Sequence, residues 1–122
     1  MGTVPGEQFF VEAEAREIYR ALARRVFAFG GGIEAHVSKS QVAFRAGRAF
    51  AFAWRPGMYV NSDVPVVASF ALGRELSSQR IKEVAHTSTK QWMHHVELRA
   101  VADVDDELIR WIEEAYRRIT ER

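Results

Sequence analysis

The sequence predicts an α+β domain: about five strands in a mainly antiparallel sheet, packed with an N-terminal and a C-terminal amphipathic helix. Three observations carry this expectation. Apolar residues recur every three or four positions in two stretches, one near each end of the chain. Between those stretches the period drops to two, in short runs separated by turn residues. No linker, repeat or low-complexity segment divides the chain, so residues 1–122 read as one domain, with 1–8 as a loose N-terminal segment.

Taken in order, Pro5-Gly6 punctuates the start, and Phe9 and Phe10 dock it onto the body. From Glu12 to Phe29, Ala15, Ile18, Tyr19, Leu22 and Val26 form one apolar face, with Arg16, Glu17, Arg20, Arg24 and Arg25 opposite. Gly30-Gly31-Gly32 is expected to close this helix through a left-handed glycine. Because the triplet follows a helix rather than preceding one, it does not read as a phosphate loop. Two short alternating runs follow, Ile33–Val37 and Val42–Arg45, around a Ser38-Lys39-Ser40 turn. After Ala46-Gly47-Arg48 comes a third run, Ala49–Trp54. There Phe50, Phe52 and Trp54 alternate with alanine, which suggests a central strand whose alanine face lets a helix lie close. Phe50 and Phe52 read as core.

Val66, Ala68, Phe70 and Leu72 mark a fourth strand, with Pro65 at its start, where a missing N–H is tolerated. Gly73 to Gln91 is polar and weakly periodic and reads as a long loop with a helical turn around 79–85. Trp92 to Val101 reads as a fifth strand. In the last helix Asp103 is the expected N-cap, and Val104, Leu108, Trp111, Ile112, Ala115, Tyr116 and Ile119 form its apolar stripe.

Composition narrows the function classes. With no cysteine there is no thiol nucleophile and no thiolate metal site. No apolar run approaches the ~20 residues that span a bilayer, and the first ten residues lack a leader pattern, so the expectation is a cytoplasmic protein. A formal net charge of +1 disfavours a strongly basic nucleic-acid binder. The charge is uneven, however: between residues 39 and 99 there are nine Lys or Arg against four Asp or Glu. That excess, beside Trp54 and Trp92, points to recognition of an anion.

Reactive chemistry finds less support. His94 and His95 are adjacent on a strand and face opposite ways, so they cannot share a metal ion without a bulge. His36 could join one of them only if the first and fifth strands were neighbours. His95 with Glu97, or His36 with Glu34, could form an acid/base pair if a cleft held them. Ser38 and Ser40 lack the glycine frame of a nucleophile elbow. No catalytic residue, metal or cofactor is assigned.

Several motifs resemble those of the domain-of-unknown-function 5655 family. They are Ser38-Lys39-Ser40-Gln41-Val42-Ala43-Phe44-Arg45 running on to Arg48-Ala49-Phe50-Ala51, Met93-His94-His95-Val96-Glu97-Leu98, and Asp103-Val104-Asp105-Asp106-Glu107 with Trp111 and Ala115-Tyr116. Phe9-Phe10 resembles the start of the family pattern. The resemblance spans about Phe9 to Ile119 and implies a small α+β domain, found in bacteria alone or appended to larger, sometimes nuclease-like proteins. It implies no activity and no catalytic residue, and it draws attention to the polar positions Lys39, Arg80 and His95.

The functional expectation is therefore a non-catalytic binding or accessory module for an anionic small molecule or a protein partner, acting alone or as a homo-oligomer. Its ligand-binding residues would be Lys39, Trp54, Arg80 and His95. The alternatives are an enzyme with a histidine general base and a weak binder of single-stranded nucleic acid, the latter disfavoured by the net charge.

Overall fold

The computed structural model describes residues 3–121. Helix α1 (Ala13–Phe27) precedes strands β1 (Glu34–Val37), β2 (Val42–Ala46), β3 (Arg48–Trp54), β4 (Val66–Leu72), β5 (Ile81–Ser88) and β6 (Gln91–Leu98), and helix α2 (Asp106–Thr120) closes the chain. The strands form one antiparallel sheet in the order β1-β2-β3-β4-β6-β5. Both helices pack on the same face. Among the described residues no helix is long and apolar enough to cross a membrane.

The sixth strand is β5, which occupies much of the segment expected to be a loop. Its periodicity is weak for a physical reason: it is an edge strand, largely exposed, and irregular near both ends, at Ile81/Glu83 and His86/Ser88. An edge strand buries little, so its sequence need not alternate. The N-terminal segment is also less loose than expected. Val4, Gly6 and Glu7 are buried from solvent, and Glu7 accepts the Val4 N–H (2.6 Å) while pairing with Arg20 (2.8 Å). Met1 and Gly2 lie outside the described residues.

The alanine face of β3 does meet the helices, but one aromatic joins it. Phe44 opposes Ala51 while Arg45 opposes Ala49, so β3 carries an extra residue, Phe50, in a bulge. The bulge changes the alternation. Phe50 packs on Tyr116 of α2 (5.4 Å between centroids) and is fully buried, alongside Ala51 and Ala53. Phe52 and Trp54 are left on the opposite face, so Phe52 is not part of the helix-side core.

The helix ends correct two further expectations. No residue of Gly30-Gly31-Gly32 has a positive φ, and α1 ends with Ala28 as its C-cap. Gly30 is needed instead for close approach, since a Cβ there would overlap the Tyr116 hydroxyl. That ring is confined by Phe29 and Phe50. Gly30→Ala should therefore lower stability by about 1–3 kcal/mol, and part of the loss should return in a Tyr116→Phe background, read from urea unfolding of all four proteins. At α2 the N-cap is Asp105, whose Oδ1 accepts the Leu108 N–H (3.0 Å). Asp103 instead accepts the Arg99 and Ala100 amides, closing the turn before the helix.

Candidate functional site

Because both helices cover one face, the other face of the sheet is open. Residues paired across antiparallel strands share a face, so the register writes a row across it: Ala43, Phe52, Ser69, His95 and Glu83, from β2 to β5. Ser69 is the small member at the centre, between a phenyl ring and an imidazole. The result is a hollow of about 320 Å³ lined by Gln41, Phe52, Trp54, Ser69, Met93 and His95. Its size lies near the lower end for small-molecule sites, and aromatic walls with few polar groups suit such sites.

A hydrogen-bond chain runs through its floor. Trp54 Nε1–H donates to Ser69 Oγ (2.8 Å), and Ser69 Oγ lies 2.6 Å from His95 Nδ1. The indole can only donate, so Ser69 Oγ accepts from it, and the buried serine hydroxyl needs an acceptor of its own. His95 Nδ1 is that acceptor. The neutral imidazole therefore carries its proton on Nε2, which makes no hydrogen bond among the described residues. Burial pushes the His95 pKa down, opposed by the carboxylate of Glu83, so the ring is neutral near pH 7. The hollow thus presents an N–H donor between aromatic surfaces. On the loop after β3, Tyr59 sets its ring edge against Trp54 (6.0 Å) and donates its hydroxyl to the Ser40 carbonyl (3.2 Å), tying that loop to the β1–β2 turn.

Of the four residues singled out in the sequence, the structure brings Trp54 and His95 together. Lys39 stands exposed on the β1–β2 turn and does not line the hollow. Arg80 is engaged elsewhere: its guanidinium contacts Asp105 (2.8 Å), Glu107 (3.0 Å) and the Asp103 carbonyl (2.8 Å) and lies over the Trp111 ring. It latches the segment before β5 to the start of α2. Arg80→Ala should cost about 1–3 kcal/mol in urea unfolding while leaving the Trp54 indole N–H resonance in place.

Some other cations are also committed. Arg74 pairs with Glu114, and Arg99 with Asp63 and Glu97, whereas Lys39, Arg45, Arg48, Arg55, Lys82 and Lys90 form no ion pair among the described residues. His94, the neighbour of His95, is buried on the helix side, stacked on Phe70 (5.4 Å) with Nε2 accepting the Leu76 N–H (3.0 Å). His36 lies on β1, with β2, β3 and β4 between it and β6. Among the described residues no group of three or more His, Cys, Asp or Glu could hold a metal ion.

The sequence reading passed over Ser69, Gln41 and Met93. Ser69 did leave a signal, as the single polar residue inside the otherwise apolar run Val66–Leu72, every member of which is buried. A larger hollow, about 390 Å³, lies between the start of α1 and the loop before β4. There Glu12, Glu14 and Asp63 accompany Arg55, so its charges oppose one another and no aromatic surface is offered.

The family model of the domain of unknown function 5655 matches residues 7–118. The chain belongs to this family. No curated protein and no solved structure matches the sequence. The hollow formed by Trp54, Ser69 and His95 is thus a feature of a domain-of-unknown-function 5655 member described from its own geometry.

Proposed function

We propose that this protein is a non-catalytic binding module whose open sheet face takes a small planar ligand. The ring of the ligand lies between Phe52, Trp54 and Met93, and a hydrogen-bond acceptor on it faces His95 Nε2–H. The observation that supports this most is the Trp54–Ser69–His95 chain, which orients an unpartnered donor inside an aromatic hollow. The same chain favours binding over base catalysis. A general base must offer a lone pair to its substrate, whereas here the lone pair of Nδ1 is occupied by Ser69 and the free nitrogen carries a proton. Ser69 is itself buried in a central strand, so attack by its oxygen on a bound molecule is obstructed.

A fragment screen followed by amide and indole NMR tests the proposal. Planar fragments should shift the Trp54 indole and His95 ring resonances, and Trp54→Ala should weaken the same fragments by about tenfold or more. Fragments that cluster elsewhere, or bind the variant equally well, would overturn it.

A further inference from the structure

Resting on the binding reading above, the charges around the hollow point to the class of ligand: we infer that it takes uncharged carbonyl compounds, amides or lactams on a planar ring, and excludes carboxylates. Three observations carry the inference. The donor at His95 Nε2–H is satisfied by any carbonyl oxygen and needs no anion. Carboxylates stand next to His95 along the sheet, the nearer being Glu83, whose charge acts on the ring. Glu83 is the cross-strand partner of His95 on β5, and Glu97 stands two residues along β6 on the same face. No cation lines the hollow itself, while Lys82 and Arg99 stand with Glu97 around the adjoining hollow. Arg99 reaches Glu97 (3.5 Å) but is shared with Asp63 (3.3 Å). Arg45 on β2 turns back to the Gly47 carbonyl, Lys39 is exposed on its turn, and Arg55 lines the hollow at the start of α1.

A carboxylate placed on His95 would therefore face like charges while meeting a neutral donor, a juxtaposition that selects against it. An amide carbonyl accepts the same hydrogen bond without the repulsion. Gln41, the other polar side chain on the rim, is itself a primary amide able to pair with an amide N–H.

The test titrates benzamide and benzoate, equal in ring and nearly equal in volume, against the whole protein by NMR at neutral pH and low salt. Benzamide should shift the Trp54 indole N–H, and benzoate should bind at least about tenfold more weakly. In Glu83→Gln with Glu97→Gln the two should approach equal affinity, with the amide spectrum reporting that the variant is folded. Benzoate binding the wild type as well as benzamide does would overturn this inference and leave the binding module standing. A preference unchanged in the double variant would overturn its electrostatic cause. If neither probe moves the indole resonance, the hollow is not a site for planar rings, and the binding reading falls with the inference.

Discussion

Gly6→Ala should reduce stability by about 2–5 kcal/mol, a large share of the 5–15 kcal/mol that holds a domain of this size folded. Two independent causes add. Gly6 has φ +93°, where a side chain costs about 1–2 kcal/mol. A Cβ at that position would also overlap the Tyr19 hydroxyl and lie 3.0 Å from Val42 Cγ1, an overpacking cost of about 1–3 kcal/mol. Tyr19 has nowhere to retreat. It is fully buried, stacked between Phe10 (5.1 Å) and Phe44 (6.0 Å), and it donates its hydroxyl to the Pro5 carbonyl (2.6 Å). Placing Gly6→Ala in a Tyr19→Phe background isolates the hydroxyl overlap, because that overlap disappears while the backbone penalty and the close approach to Val42 remain. Urea unfolding of the four proteins measures its cost. Equal losses in the two backgrounds would show that the hydroxyl plays no part.

His94→Ala should cost about 3–5 kcal/mol, since it removes a fully buried ring from its stack on Phe70 and leaves the Leu76 N–H without its acceptor. The same contact makes the fold sensitive to acid. Burial pushes the His94 and His95 pKa values below the ordinary 6.5, so below that pH the unfolded chain binds protons that the folded chain refuses. Stability should be full above about pH 6.5 and fall as the pH drops toward the lowered folded values. Glu7 acts in a more acidic range. Its hydrogen bonds to Arg20 and Val4 hold its pKa at about 2 against an ordinary 4.5, so its contribution is present above 4.5 and is lost toward 2. A urea midpoint followed from pH 8 to pH 3 should decline in these two stages. His94→Phe should shrink the upper one, and a midpoint flat from pH 7 to pH 5 would refute the histidine assignment.

Those contacts also mark how far the sequence was legible. Both helices, the central strands and the opposite facing of His94 and His95 follow from periodicity, because burying one face of an element leaves a period behind. β5 left almost none, being an exposed edge. The role of Gly30 was equally hidden, since the chain does not announce that residue 116 will arrive beside it. His95 stands out in the sequence as a polar position of the family pattern and Trp54 as an aromatic beside the positive excess, but their meeting depends on strand order and on Ser69 standing between them. Arg80 looked free for the opposite reason: its carboxylate partners lie 25 and 27 positions further along the chain.

The bulge in β3 has a consequence for how this family can vary in length. Removing one residue from Arg48–Trp54 would restore strict alternation, and the aromatics would no longer be divided between the two sides of the sheet. Either Phe50 would leave its place on Tyr116, or Phe52 and Trp54 would be driven under the helices and Ser69 would lose its indole. A deletion there is a change of face for a whole half-strand, so homologues that keep the hollow should keep this segment at constant length.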